Sequence, residues 1–302
     1  MKHYYSLNEY YQNRFGKKVY RLAVSGGMTC PNRDGTLGTR GCIFCSAGGS
    51  GEFAASASLS VTEQLEQAKR RVAAKTSDGA YIAYFQPFTN TYADVDTLRR
   101  LYEEAIAPEE IVGLAVGTRP DCLSPEVIAL LSQINAKKPV TVELGLQTIH
   151  EKTADYIRRG YPLSVYDSAV KALHDAGIGV ITHVILGLPG ETEEMMIDTV
   201  AYVGQATDGI KLQLLHVIEG TDLASEYRKG TFHTLTLEQY AHILCRCIEV
   251  LPENVVICRL TGDGDKRSLI APLWSADKKR VLNFINRTLE ENNIQQGSKA
   301  PV

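Results

Sequence analysis

The sequence predicts an α/β fold built from β/α units in succession. Six short β-rich runs alternate with amphipathic stretches of helical length, the joins between them are short, and the helices carry their own start and stop signals. The β-rich runs are Val19–Val24, Ala80–Phe85, Ile111–Val116, Val140–Leu146, Ile178–Leu186 and Ile210–Leu215. The helical stretches between them are Val61–Lys75, Val95–Ala107, Pro125–Ile134, Val165–Ala176 and Glu191–Gln205. Ser60 with Glu63 reads as a capping box, Ser124 caps a helix that starts on Pro125, and Gly177 stands where a helix should stop. Strands separated by helices pair in parallel, so the expected architecture is a full or partial (β/α)6 barrel, with an open doubly wound sheet as the alternative.

Beyond residue 222 the simple alternation is lost. A helix over Leu237–Leu251, a strand over Val255–Leu260, a Gly/Asp turn over Gly262–Asp265 and a final helix over Ala276–Glu291 are expected there. The chain is therefore divided into a lead-in (1–18), a core barrel (19–222) and a C-terminal α/β extension packed on the barrel (223–302).

With 44% hydrophobic residues over 302 positions, the chain can bury a full core. A net charge of −3 excludes a bulk polycation, so nucleic-acid binding would need a local basic patch. The start of the chain has no apolar signal region and no apolar run reaches membrane-spanning length, so a cytoplasmic protein without membrane association is expected. Seven cysteines, an odd number, argue for thiols as ligands or buried apolar groups rather than a disulfide framework.

Three of those thiols stand out. Cys30 lies in a glycine-studded loop just after the first strand, and eleven residues later Cys42-Ile43-Phe44-Cys45 brings two more. Barrel reaction centres are built from loops at the C-terminal ends of strands. A Cys-x-x-Cys pair with a third cysteine can hold a cubane iron–sulfur cluster and leave one iron open, as a reactive centre requires. A zinc site completed by a histidine, a redox pair at Cys42 and Cys45, and three unrelated buried cysteines are the alternatives.

At these residues the chain resembles the YhcC/YtqA-like branch of the radical S-adenosylmethionine (SAM) superfamily, related to the Elongator catalytic subunit. The matching words are Thr29-Cys30-Pro31-Asn32-Arg33-Asp34-Gly35, Gly41-Cys42-Ile43-Phe44-Cys45, Phe85-Gln86-Pro87-Phe88-Thr89-Asn90-Thr91-Tyr92, Gly117-Thr118-Arg119-Pro120-Asp121 and Glu143-Leu144-Gly145-Leu146-Gln147-Thr148. The long first cysteine spacing is a feature of that branch. The resemblance does not extend to the Elongator acetyltransferase domain, so acetyl-CoA chemistry is not implied.

The resemblance implies a radical SAM partial barrel with a 4Fe–4S cluster on Cys30, Cys42 and Cys45, and SAM bound across the strand ends. It implies that Phe44 lies near the adenine and that Gln86, Thr89 and Asn90 meet the methionine amino group. Glu143, assisted by Gln147, would bind the ribose hydroxyls, and Arg159 would pair with the carboxylate, Arg158 being the fallback. The segment with Ile185 and Gly187 would offer backbone to the adenine, with Glu191 capping the helix that follows. For the second substrate, Arg119, Asp121, Lys211, Gln213 and His216 are the candidates, and Cys122, Cys245, Cys247 and Cys258 are read as structural.

The relatives imply a radical reaction on the wobble uridine of tRNA, converting 5-carboxymethylaminomethyl-(2-thio)uridine to 5-aminomethyl-(2-thio)uridine. An electron donor such as flavodoxin or ferredoxin would be the second partner. From the residues themselves come basic clusters at Arg14, Lys17, Lys18 and Arg21, at Arg33 and Arg40, and at Lys266, Arg267, Lys278, Lys279 and Arg280. On one face they could follow an RNA backbone, and Tyr4, Tyr5, Tyr10 and Tyr11 could stack on an unpaired base. A radical SAM enzyme acting on a small metabolite or peptide, and a non-catalytic metal-binding RNA module, are the other classes left open.

Overall fold

A computed structural model describes residues 2–49, 55–73, 79–262 and 266–301. In chain order the first elements are α1 (Leu7–Phe15), β1 (Val19–Val24), α2 (Val61–Val72), β2 (Ala80–Phe85), α3 (Val95–Ile106), β3 (Ile111–Thr118) and α4 (Pro125–Asn135). There follow β4 (Val140–Gln147), α5 (Glu151–Tyr156), α6 (Leu163–Asp175), β5 (Gly179–Leu186), α7 (Glu193–Gly204) and β6 (Gly209–Leu214). The chain then runs through β7 (Val217–Ile218), α8 (Asp222–Arg228), α9 (Leu237–Val250), β8 (Val256–Arg259), β9 (Leu269–Ala271) and α10 (Lys278–Glu291). All six expected strands and the helices between them are present. The far end of the Val61–Lys75 expectation and the centre of the Gly262–Asp265 turn lie outside the described residues.

The caps act as their residues require. Ser60 accepts from the Glu63 amide while the Glu63 carboxylate accepts from the Ser60 amide at 2.8 Å. Ser124 caps α4 ahead of Pro125. Glu191 does not cap α7: that position belongs to Thr192, whose hydroxyl accepts from the Met195 amide, and Glu191 turns inward to accept from Thr148 at 2.5 Å.

The main sheet has seven strands in the order β1-β2-β3-β4-β5-β6-β8, every pair parallel. The strands follow one another across the sheet in chain order, with β7 left out, so the strand order never reverses as a doubly wound sheet demands. The sheet curls into an open partial barrel. The seventh strand comes from the segment expected as an extension: α9 packs beside α7, and β8 then pairs with β6 through Val256 opposite Gly209 and Ile257 opposite Ile210. One further β/α unit has therefore been added, with β7 and α8 inserted at the top of the barrel.

Strand alternation sorts the side chains. Leu22, Val24, Phe85, Val116, Val142, Leu144, Val184 and Leu212 point outward into the main core under the helices, all nearly fully buried. Burying one such aliphatic or aromatic side chain contributes about 1.5–3 kcal/mol. The opposite face looks into the barrel, where β1, β2, β4, β5, β6 and β8 place polar residues.

The open seam between β1 and β8 is filled at the N-terminal ends of the strands by α1. The chain enters it through an isolated bridge from Ser6 to Ile257, with the Ile257 amide donating to Tyr5 O at 2.8 Å. Gln296 holds this corner. Its Nε2 donates to Pro252 O (2.7 Å) and Val255 O (2.8 Å), and its Oε1 accepts from the Tyr5 amide (2.8 Å). Gln296 is buried, so Gln296→Ala leaves these backbone groups unsatisfied and is expected to cost about 2–3 kcal/mol in urea denaturation. A loss within about 0.5 kcal/mol would show that the clasp is not needed.

Candidate active site

The cysteine loop leaves the C-terminal end of β1 and is folded back by its own polar groups. The amides of Arg33 and Asp34 both donate to Cys30 O (2.8 and 3.2 Å), and the Cys45 amide donates to Cys42 O at 3.1 Å. Arg33 ties the two halves together by donating to Cys45 O (3.0 Å) and Ser46 O (2.6 Å). Gly41 has φ +74, and a Cβ there would lie 2.9 Å from the Arg33 guanidinium, so the loop needs glycine at this point. Asn32 donates to the Cys42 sulfur at 3.4 Å and to Arg158 O at 2.7 Å. Two more ties come from elsewhere in the chain: the Ile43 amide donates to Ile157 O, and the Leu223 amide to Ile43 O.

The three thiols line one wall of a cavity of about 310 Å³ at the C-terminal ends of the strands. The Cys42 thiol is pushed up to about 11, by burial first and then by its neighbour Cys45. A metal centre held by these thiols would take the place of their protons.

Opposite the thiols lies a buried charge network centred on Glu143 of β4, whose side chain is 0% exposed. One carboxylate oxygen pairs with Arg21 of β1. The other accepts from Tyr84 Oη of β2 (2.6 Å), His183 Nε2 of β5 (2.8 Å) and Lys211 Nζ of β6. Lys211 also donates to Tyr84 Oη at 3.1 Å. A barrel interior is otherwise filled with apolar side chains. Burial alone would raise the Glu143 pKa, but Lys211, Arg21 and His183 outweigh it and hold the carboxyl well below its usual range.

His183 is driven down to about 4, by burial first and then by the Lys211 ammonium. The unfolded imidazole takes up its proton near pH 6.5, whereas the folded one does so only near pH 4. Between those values unfolding binds a proton, so stability falls as pH drops through the window, by up to about 1.4 kcal/mol per pH unit. His183→Gln is expected to flatten the urea midpoint between pH 6.5 and 4. A variant with the same slope as the parent would remove His183 as its source.

Most of the residues singled out from the sequence meet in this one cavity. Cys30, Cys42, Phe44, Cys45, Gln86, Thr89, Arg119, Glu143, Gln147, Arg159, Ile185, Lys211, Gln213 and His216 all line it. Three do not. Asn90 is fully buried and donates to Pro87 O and Gly117 O, so it locks the turn after β2. Gly187 lies against Leu235 behind the wall. Asp121 forms a bidentate pair with Arg119 (2.9 and 2.7 Å) from outside the cavity.

Two expected cofactor contacts are already engaged within the chain. Arg159 is 2% exposed and donates to Tyr161 O, Thr148 O and Glu151. Its fallback, Arg158, pairs with Asp222. Arg119 is the guanidinium whose charge is felt by Cys30 and Cys42, and the Tyr161 ring lies between Arg119 (5.2 Å) and Arg159 (4.8 Å). Tyr161 thus joins two arginines by cation–π contact. Glu143 spends the acceptor capacity of a carboxylate on four donors of the chain. Gln147 differs: it takes φ +72 where the β4–β5 register shifts, and its Oε1 is buried without a partner among the described residues. Phe44 packs with the small core around Ile185, Leu188 and Leu215 while facing the cavity.

The N-terminal aromatic residues are elsewhere. Tyr5, Tyr10, Tyr11 and Arg14 line a second, larger cavity of about 670 Å³ at the N-terminal ends of the strands, the opposite mouth from the thiols. They therefore cannot stack on a base presented to Cys30, Cys42 and Cys45. The thiols, Tyr84, Glu143, His183, Lys211 and Arg119 belong to the smaller one. Sequence reading missed Arg259, Tyr84, Tyr161 and Asn32 as site residues and gave Arg21 to a surface cluster. The inward period-2 positions of their strands were the available signal for Arg21, Tyr84 and Arg259.

Comparison with known proteins gives this arrangement its class. Residues 35–203 match the radical SAM superfamily and residues 207–291 match the radical SAM C-terminal domain. The chain belongs to the radical SAM superfamily. Within it the chain is similar to YtqA of Bacillus subtilis, 42% identical over 98% of this chain and 92% of that one, and so falls in the YtqA/YhcC-like branch. A tRNA uridine(34) acetyltransferase of Methanocaldococcus jannaschii is 27% identical over 52% of this chain, but only 29% of the acetyltransferase is covered. The archaeal Elp3 structure from Methanocaldococcus infernus superposes with a TM-score of 0.71 at 18% identity, covering 92% of this chain and 64% of that one. At that identity the likeness concerns the fold.

Enzymes of this superfamily use a 4Fe–4S cluster and SAM. The site fits both. Among the described residues no three His, Cys, Asp or Glu side chains are gathered as a single metal ion requires. Cys30, Cys42 and Cys45, which line the same cavity, are the thiolates that would hold the cluster. Gln147, whose Oε1 is buried without a partner among the described residues, lines the same cavity. Among the described residues no helix is long and apolar enough to cross a membrane.

Proposed function

We propose that this chain modifies the wobble uridine of tRNA, converting 5-carboxymethylaminomethyl-(2-thio)uridine to 5-aminomethyl-(2-thio)uridine: the carbon between nitrogen and carboxylate loses a hydrogen atom and then one electron, water adds to the resulting imine, and the two carbons leave as glyoxylate. The observation that carries the reading is the similarity of half the chain to a tRNA uridine(34) acetyltransferase, joined to a cavity that holds the three thiols. When bound, the cluster and SAM supply a 5′-deoxyadenosyl radical that takes a hydrogen atom from the substrate. The chain's own part is to hold Cys30, Cys42 and Cys45 in one loop and to exclude water from the reacting bond. Arg119 places a fixed positive charge beside the thiols, where a carboxylate chelating the open iron would lie. Gln147 Oε1 is the acceptor we assign to a ribose hydroxyl. A flavodoxin- or ferredoxin-type protein would deliver the electron.

Lys266 and Arg267 lead into β9, which pairs with β7 directly beyond β6 and so lies at the cysteine mouth. Arg14 lies at the other mouth, and Lys17 and Lys18 precede β1 there, so one of the three basic clusters cannot serve an RNA at the thiols. That placement favours a second reading, a small anionic metabolite as substrate. The deciding assay is anaerobic: reconstituted protein, reductant and SAM, with 5′-deoxyadenosine measured with and without tRNA bearing the modified uridine. Product that rises with that RNA, together with loss of the modified nucleoside, supports the tRNA reading. Slow cleavage indifferent to RNA removes it, and no cleavage with an intact cluster removes the radical reaction as well.

A further inference from the structure

One side-chain amide stands between a cysteine of the thiol wall and the backbone that faces it. Asn32 is 5% exposed, and its Nδ2 lies 3.4 Å from Cys42 Sγ and 2.7 Å from Arg158 O, with Arg159 O at 3.5 Å. Carbonyl oxygens only accept, so the amide must turn Nδ2, and not Oδ1, towards them. Both ends of the contact are fixed. The Asn32 carbonyl accepts from the Gly41 amide at 2.7 Å. Arg158 takes φ +59, and its guanidinium donates to Gly41 O at 3.3 Å and pairs with Asp222.

These atoms suit a metal-bound sulfur better than a free thiol. As a thiol, Cys42 donates its own proton to Arg158 O at 3.6 Å, and Asn32 offers its N–H to a weak acceptor. With iron in place of that proton the sulfur can only accept, and two acceptors, Cys42 Sγ and Arg158 O, are left facing each other. The Asn32 amide touches both and has two N–H groups, one for each. A hydrogen bond to an anionic acceptor is shorter and stronger than one to a neutral acceptor.

We infer that Asn32 donates a hydrogen bond to the Cys42 thiolate of the loaded cluster and thereby raises the cluster's reduction potential. Asn32 is then a positioning residue that acts through Cys42. Reduction adds negative charge that the thiolates share, so an N–H aimed at one of them stabilises the reduced state more than the oxidised one. Hydrogen bonds to sulfur are among the levers that set cluster potentials. The result is a cluster that a protein electron donor reduces more readily. The inference rests on ligation by Cys42 and not on the uridine reading, because it holds for any second substrate.

Two measurements on the full, cluster-loaded chain test it. In the first, asparagine carries labelled side-chain nitrogen, the cluster is reduced, and electron–nuclear double resonance is recorded in light and heavy water. A coupled exchangeable proton and a coupling to the labelled nitrogen are expected, and both should vanish in Asn32→Leu. A parent cluster that shows neither overturns the inference. The second is a redox titration without SAM, followed by the electron paramagnetic resonance of the reduced cluster. It reads only chains that carry a cluster, so partial loading of a variant does not blur it. Asn32→Leu should lower the equilibrium constant for reduction about tenfold, a midpoint lower by about 59 mV for one electron. An unchanged or higher midpoint overturns the inference. So does a lower midpoint with both couplings still present, since the bond would then come from another donor. If Asn32→Leu holds no cluster, Asn32→Ser, too short to reach the sulfur, is read in the same way, and if neither loads, the couplings in the parent decide.

Discussion

Glu143→Gln is expected to cost about 3–5 kcal/mol of stability, the usual result of removing one partner from a buried ion pair. The amide keeps the shape of the side chain but leaves Arg21 and Lys211 as buried cations without their common anion. Only one oxygen would remain to accept from the donors that now share two, Tyr84 and His183 among them. The loss should appear in the urea midpoint with an unchanged slope. Adding Lys211→Met should recover part of it, because the residues share one network and their effects do not add. A Glu143→Gln chain within about 1 kcal/mol of the parent would show that the network is not a unit.

The second large effect is on the cluster. Cys42→Ala should abolish stable iron and sulfide binding and lower SAM cleavage by roughly a thousandfold or more, since the ligand and with it the redox centre are lost. Cys245 and Cys247 are buried in α9, and Cys258 lies on β8 beside Arg21 and Glu143, away from the thiol wall. Cys247→Ala and Cys258→Ala should therefore keep full iron content per chain. Iron retained by Cys42→Ala, or lost from either control, would undo the ligand assignment.

Much of this architecture was legible because it is local. Strands such as Ala80–Phe85 declare themselves by a continuous apolar run, helices by Ser60 with Glu63 or Ser124 with Pro125, and the thiol site by spacing alone. What was hidden is what needs distant partners. Glu143 is plainly an odd residue for a barrel interior, but its partners lie 122 residues away at Arg21, 59 at Tyr84 and 68 at Lys211. No periodicity encodes such pairings. Helix α1 was missed because its sequence is mostly polar and only Ser6 and Gly16 mark its ends. The short strands β7 and β9 span two and three residues, below any pattern that alternation can show. The two basic clusters at opposite mouths could not be separated without the topology that sends β1 upward between them.

The clasp at Gln296 also orders events during synthesis. Cys30, Cys42 and Cys45 leave the ribosome early, but the groups that fix their loop, Arg158, Leu223 and Asp222, follow more than a hundred residues later. The seam between β1 and β8 gains its final hydrogen bonds only when Gln296 reaches Tyr5, at a separation of 291 residues. Contacts so far apart in sequence form late. The thiols are thus among the first functional groups made, and their loop is fixed only after Arg158 and Leu223 have followed. That leaves an interval in which iron–sulfur assembly factors, or oxygen, can reach them before the barrel has closed around its floor.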